Sequence, residues 1–328
     1  MKTIALLATA TDRIELVDAI VPEPDSGEVL VEALYTAISP GTELRCLAGN
    51  QHGFRFPFIP GYSMVGRIVR RGAGVALTEG TVVFCHGTEK ADLPLGWGAH
   101  IGHAVRRAAS VFPLPAGMDP IEAALAKLAA IAYRGVDVAG TLPHDQVAIV
   151  GLGLIGQLAA RLHALTGARV VAADTRLERV ELARAAGIEA VVPQNGLAAA
   201  FAELQPEGAD VVVDSTGAPS VLPQSVLLAK SKPFDDSLTE PTRLLVQGSY
   251  VADVKFDYHE AFCRELAVYF PRDQRSRDLR TVLRLMAQGR LKTRDLVSRL
   301  CPPQDAQEVF SALRAADPGL LTAVFRWK

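Results

Sequence analysis

Three glycines, Gly151, Gly153 and Gly156, are spaced G-x-G-x-x-G in "VAIVGLGLIGQLAARL", with Leu152, Leu154 and Ile155 between them. They follow an apolar run of strand character and open a run of helical character. The first glycine permits a tight turn. The second lets a pyrophosphate approach the backbone, and the third lets helix and strand pack closely. The helix start then offers free N–H groups and a partial positive charge to an anion. "VVAAD" ends a second strand at Asp174, 18 residues beyond Gly156. A spacing of about 20 is the one at which a carboxylate meets an adenosine ribose. Asp174 would accept hydrogen bonds from the ribose and repel a 2′-phosphate, which predicts NAD. Thr175 and Arg176 sit where a phosphate is welcomed, so NADP stays open.

The elements that must position these residues are legible in coarse form. Residues 1–120 read as β-rich: "GEVLVEALYTAI" alternates like a half-buried strand, and "MVGRIVRRGAGV" and "GTVVFCHG" are short strands punctuated by glycine. This predicts a partly open β-barrel. From residue 121 the pattern changes. Asp119 as N-cap and Pro120 at the first helical position predict one long Ala/Leu helix over "DPIEAALAKLAAIAYRGVDVAG". Apolar strands and amphipathic helices then alternate to residue 269, the signature of βαβ units and a doubly wound parallel sheet. After 270 come a helix, a strand ("DLVSRLCP"), a second helix and a last strand, which either end the α/β domain or return to the first. "KSKPFDDSLTEPTR" is the most loop-like stretch, and no internal repeat is visible.

Composition narrows the class. The chain has 328 residues, 49% of them hydrophobic, and a net charge of −2, with no basic block to bind nucleic acid. No apolar stretch reaches the roughly 18 residues of a membrane span, and the apolar start of "MKTIALLATATDRIELV" reads as a first strand rather than a signal peptide. Cys46, Cys85, Cys263 and Cys301 are scattered without a CxxC pair, which fits free thiols in a reducing cytoplasm and disfavours a structural zinc lobe.

A β-rich domain, a helix and a mid-chain dinucleotide fingerprint together resemble the medium-chain dehydrogenase/reductase superfamily. The resemblance implies a GroES-like catalytic domain made of both chain ends (1–120 and about 270–328) around an inserted Rossmann domain (121–269). It makes Arg179 a second ribose contact. It places Ser215, Thr216 and Gly217 of "DSTG" beside the cofactor, and Gly248 and Ser249 of "VQGSY" at the strand end facing the nicotinamide. Zinc-dependent members carry "CGTD", "GHE" and a third ligand at the start of the long helix. This chain has "PGTE" at 40–43, "GYS" at 61–63 and "AKLAAIAY" at 126–133. The resemblance therefore equates Pro40, Tyr62 and Lys127 with the three ligand positions, and no metal is expected. Cys46 with His52, or Cys85 with His86, is at most a local pair lacking a third ligand. "AISPGTE" with "PGYSMVGRIV" most resembles the zinc-lacking branch around bacteriochlorophyllide 3-hydroxyethyl dehydrogenase, which implies oxidation of a secondary alcohol to a ketone.

Without zinc, another group must meet the charge that develops on the alcohol oxygen. Lys127 would place an ammonium near the vacated ligand position, in a helix facing the nicotinamide; its other reading is a surface lysine on an Ala-rich helix. Thr42 matches the superfamily's relay hydroxyl or is a turn threonine. Tyr62 donates its phenol or fills the space of the metal. His52, His86, His100 and His103 lie in loop-like stretches, and only His86 stands as a site candidate. "QHGFRFPFIPG" (51–61), with Arg55, either lines a cleft for a large or anionic substrate or is a packed loop. The expected protein is a cytoplasmic homodimer acting on a small molecule in biosynthesis. The competing classes are an NADPH-dependent quinone or enoyl reductase, against which Asp174 argues, and a non-catalytic NAD(P)-binding protein.

Overall fold

The computed structural model of the chain describes residues 1–231, 240–251 and 253–328. Most of the loop-like stretch at 230–243 lies outside them. The described chain forms two compact units, Met1–Leu128 with Leu279–Lys328, and Ala129–Asp278.

The first unit opens with an antiparallel hairpin, β1 (Lys2–Ala10) and β2 (Arg13–Ile20). Next come β3 (Glu28–Ala37), α1 (Pro40–Leu47), β4 (Met64–Arg71), β5 (Val82–Cys85), β6 (His103–Arg107) and β7 (Phe112–Pro113). Then α2 (Pro120–Ala123) and α3 (Ala126–Ala139) follow, and the chain leaves the unit inside α3. Glu28–Ala37, read from alternation as one strand, becomes the centre of the sheet, pairing antiparallel with both β4 and β6. The expected long helix is two. Asp119 does cap the first, accepting from the Ile121 amide at 2.9 Å. The Ser63 hydroxyl then donates to the Ala124 carbonyl at 2.6 Å. That bond lies at the break between α2 and α3, which starts at Ala126.

The second unit holds β8 (Gln146–Val150), α4 (Leu154–Ala164), β9 (Arg169–Ala173), α5 (Leu177–Ala185), β10 (Glu189–Val191) and α6 (Leu197–Leu204). It continues with β11 (Val211–Asp214), α7 (Leu222–Val226), β12 (Arg243–Val246), α8 (Tyr258–Phe262) and β13 (Ala267–Tyr269). The strands pair in the order β10-β9-β8-β11-β12-β13, all parallel. Val147, Ile149, Val211, Val213 and Leu244 in them are fully buried, as near-continuous apolar runs in a covered parallel sheet require. The chain leaves β8 toward β9 and returns on its other side as β11, so the order reverses between these strands. Ligands of open α/β sheets bind at the carboxyl ends of strands at such a point.

The last helix of this stretch, α9 (Ser276–Ala287), carries the chain back to the first unit. There β14 (Arg299–Cys301), α10 (Ala306–Arg314) and β15 (Ala323–Arg326) complete it. β14 is shorter than "DLVSRLCP" suggests, because Arg294–Leu296 form a 3-10 turn. β15 pairs antiparallel with β3, which seats the chain's last strand beside its third. Among the described residues no helix is long and apolar enough to cross a membrane.

Candidate active site

The dinucleotide-type site belongs to the second unit. Gly151, at φ +88°, turns the chain off β8, and a Cβ there would meet the Thr216 side chain at 2.8 Å. A Cβ on Gly156 would lie 1.8 Å from the Gly151 carbonyl oxygen, so the third glycine is what lets α4 start this close to the strand. A Cβ on Gly153 would meet nothing within 4 Å; it would occupy the space a pyrophosphate needs. Gly153 is also the N-cap of α4 and has no side chain to satisfy the helix's first amides. Leu152 and Leu154 point into the core, and Ile155 is half-buried. Ser215 Oγ donates to the Gly151 carbonyl at 2.6 Å and ties the loop after β11 to the glycine turn. Gly217 and Gly248 let the loops after β11 and β12 touch: a Cβ on Gly248 would lie 2.3 Å from the Gly217 nitrogen. Ser249 follows as an exposed residue.

Asp174 ends β9 with its carboxylate already engaged. It accepts from the Leu152 amide at 2.7 Å and from the Arg176 amide at 2.9 Å, and pairs with Arg179 at 3.5 Å. It therefore both shapes the glycine turn and presents negative charge at the end of β9. Thr175 is exposed, and the Arg176 guanidinium pairs with Glu178 at 2.6 Å. Gln157, fully buried in α4, donates to the Arg179 carbonyl at 2.7 Å and so fixes the start of α5; the sequence reading missed it. Beside the loop after β11, burial pushes the Tyr250 phenol up and the Asp214 carboxylate adds to it. These residues suit a dinucleotide: turn, open second glycine, uncapped helix start and the Asp174 carboxylate sit at the carboxyl ends of adjacent strands.

A second polar cluster lies in the first unit. Tyr62 and Lys127 are 8% and 7% exposed. The Tyr62 phenol donates to Ser39 Oγ and lies 3.4 Å from Thr42 Oγ1. Lys127 Nζ stands over the Tyr62 ring, 5.9 Å from its centroid. This overturns the surface-lysine reading. An ammonium in the first turn of α3 has the same sign as the helix start, a cost of about 0.3–1 kcal/mol, and at 5.9 Å the Tyr62 face is at the outer limit of a cation–π contact. Trp97 meets the Tyr62 ring edge-on at 5.1 Å, and Phe54 packs on Trp97 at 4.4 Å. Much of 51–61 is thus packed ring against ring, with Arg55 exposed. His86 sits edge-on to Phe84 and tilted against Phe112, a structural seat between rings.

Behind this cluster lies a pair the sequence left among loop histidines. His100 is fully buried, with Nε2 2.9 Å from Glu43 and Nδ1 2.8 Å from Thr36. Ser39 was missed as well, though a serine before Pro40 with Glu43 four residues on is a visible N-terminal helix signal.

Residues 25–116 match the alcohol dehydrogenase GroES-like domain family, and residues 155–232 match the zinc-binding dehydrogenase family. The chain belongs to the medium-chain dehydrogenase/reductase superfamily. Across its full length it is 25% identical to the 2-desacetyl-2-hydroxyethyl bacteriochlorophyllide A dehydrogenase of Cereibacter sphaeroides, covering 99% of that protein. It is 30% identical to D-arabinitol dehydrogenase 1 of Uromyces fabae over 64% of this chain and 67% of that one. Its fold matches the 2R,3R-butanediol dehydrogenase of Bacillus subtilis with a TM-score of 0.87 at 21% identity, over 99% of this chain and 100% of that one. The relatives of this superfamily member are thus alcohol and polyol dehydrogenases.

One matched family is described as zinc-binding, and the donors here do not fit zinc. Among the described residues no group of three or more His, Cys, Asp or Glu side chains is arranged to hold a metal. Burial, with Glu43 adding to it, pushes the Cys46 thiol up to about 12, and burial also raises Cys85.

Proposed function

We propose that this chain is an NAD-dependent oxidoreductase that interconverts a secondary alcohol and a ketone without a catalytic zinc. The observation that carries the reading is the cluster of buried Tyr62, Ser39 and Lys127 with half-buried Thr42, built from side chains that handle protons and charge rather than from metal ligands. Gly151, Gly153, Gly156 and the start of α4 would hold the pyrophosphate, and Asp174 with Arg179 the adenosine ribose. Bound NAD supplies the hydride acceptor.

The remaining work falls to the protein. When a secondary alcohol gives up its carbon-bound hydride, its hydroxyl must also lose a proton, and negative charge builds on oxygen meanwhile. The Tyr62 oxygen can receive the substrate proton only as it releases its own hydrogen, and two hydroxyls lie within its reach, Ser39 Oγ and, at 3.4 Å, Thr42 Oγ1. Thr42 lies next to the phenol and is only half-buried, so it leads the proton outward. The Lys127 ammonium is the positive charge of the cluster and stabilises the oxygen as zinc would, by preorganised electrostatics.

The test is an assay of the purified protein against secondary alcohols and ketones with NAD and NADP, with and without chelator. Turnover with NAD that survives chelator is expected. Tight NAD binding with no turnover across the panel would overturn the proposal in favour of a non-catalytic binding protein.

A further inference from the structure

We propose that His100 and Glu43 are positioning residues that hold the Tyr62–Ser39 hydrogen bond from both sides. This rests on the reading of Tyr62 as the group that meets the substrate oxygen.

A single run of hydrogen bonds crosses the interior of the first unit. The Trp327 indole Nε1 donates to Thr36 Oγ1 at 2.9 Å. Indole N–H is a donor only, so the Thr36 oxygen accepts it and the Thr36 hydrogen is available to His100 Nδ1, 2.8 Å away. That leaves Nε2–H to donate to Glu43 Oε2 at 2.9 Å. The other oxygen of Glu43 accepts the Ser39 amide at 2.8 Å. The Ser39 hydroxyl, finally, receives the Tyr62 phenol. Every link has its donor and acceptor, from the penultimate residue of the chain to the proton-handling cluster.

His100 also fixes the other end of that last bond. Its ring lies flat against Gly61, the residue before Tyr62: a Cβ on Gly61 would meet the imidazole at 2.6 Å, and Gly61 has φ +82°. The His100 amide donates to the Pro60 carbonyl at 3.0 Å, and the Ala99 amide to the Gly61 carbonyl at 2.9 Å. One imidazole thus sets the backbone that carries Tyr62 and, through Glu43, the amide of Ser39. Thr36 and His100 are fully buried and Glu43 is 1% exposed. Burying a carboxylate is unfavourable unless its oxygens are paired, and an apolar residue would fill the space more simply. The polar pair stands where it can aim a phenol.

The test is a double-mutant cycle. Glu43→Gln keeps the bulk and one acceptor but puts an amide against Nε2–H. Turnover of the alcohol should fall about 10- to 100-fold, the scale of a misplaced reacting group, with the NAD dissociation constant unchanged. In the Tyr62→Phe background the same change should cost less than about twofold, because residues acting through one another are not additive. Equal losses in both backgrounds, or an altered NAD affinity, would show a merely structural role and overturn the proposal. If Glu43→Gln does not fold, Thr36→Val, two links further back and nearly isosteric, enters the same cycle. An activity-independent readout separates this from failure of the functional reading. The 13C signal of the Tyr62 ζ carbon, assigned by its loss in Tyr62→Phe, should move in Glu43→Gln or Thr36→Val. An unmoved signal refutes the positioning role whether or not the protein turns over any alcohol.

Discussion

The Lys127 ammonium stands 5.9 Å from the centroid of the Tyr62 ring, in the first turn of α3, with both residues more than nine-tenths buried. A helix start does not favour a cation; the charge of Lys127 is proposed to serve the reaction. Lys127→Met keeps the bulk and removes the charge. Turnover should fall about 100- to 1000-fold, the usual loss for one preorganised group. NAD affinity, measured by fluorescence titration, should stay within about twofold, since Lys127 is not among the residues proposed to hold the pyrophosphate or the ribose. Near-normal turnover would transfer the role to Tyr62 and Thr42.

The protein as purified should carry no stoichiometric zinc. The positions equated with ligands hold Pro40, Tyr62 and Lys127. Elemental analysis by plasma mass spectrometry checks this directly. About one tightly held zinc per chain, removed by chelator together with activity, would sink it.

NAD should bind more tightly than NADP, by at least about tenfold, or 1.4 kcal/mol. The added 2′-phosphate would face Asp174, while the Arg176 guanidinium is engaged by Glu178 at 2.6 Å. Asp174→Ala should narrow the preference. It should also weaken NAD itself, because the carboxylate holds the Leu152 and Arg176 amides and so shapes the glycine turn. Asp174→Asn, which keeps an acceptor for one amide, should lose less NAD affinity than Asp174→Ala for a similar loss of discrimination. Isothermal titration of both cofactors decides. A wild type that prefers NADPH contradicts the assignment.

What could be read before folding depended on distance along the chain. The glycine turn and Asp174 lie within one βαβ unit, so their spacing alone announces them. Asp119 and Pro120 correctly marked a helix start, but not its early end. Ser63, whose hydroxyl meets the Ala124 carbonyl at that end, is 61 positions away in the chain, and helix patterning carries no trace of it. His100 was hidden for the same reason: Glu43 and Thr36 lie 57 and 64 positions away, and a histidine between glycine-rich segments looks like a loop residue until the sheet closes. The roles of Lys127 and Tyr62 were open between functional and bland readings because burial, the quantity that separates them, is a property of the packed unit.

The last prediction concerns His163, which sits fully buried in α4 with Nδ1 2.9 Å from the Thr141 hydroxyl. Burial, with the Arg243 guanidinium adding to it, pulls this imidazole down from 6.5 to about 3. The folded protein therefore keeps His163 neutral, whereas the unfolded chain protonates it below about pH 6.5. Between about pH 6.5 and 3 the unfolded state binds the extra proton, so stability falls as pH falls through that window. From pH 7 to pH 5 this one group should remove about 2 kcal/mol. His163→Asn can keep a hydrogen bond to Thr141 and does not titrate. It should be less stable than the wild type at pH 7, through lost packing, but the gap should shrink by about 2 kcal/mol at pH 5. Urea unfolding at the two pH values, followed by fluorescence and circular dichroism, measures the difference. If the gap is the same at both, His163 is protonated in the folded protein or reached by water, and the acid sensitivity lies in other groups.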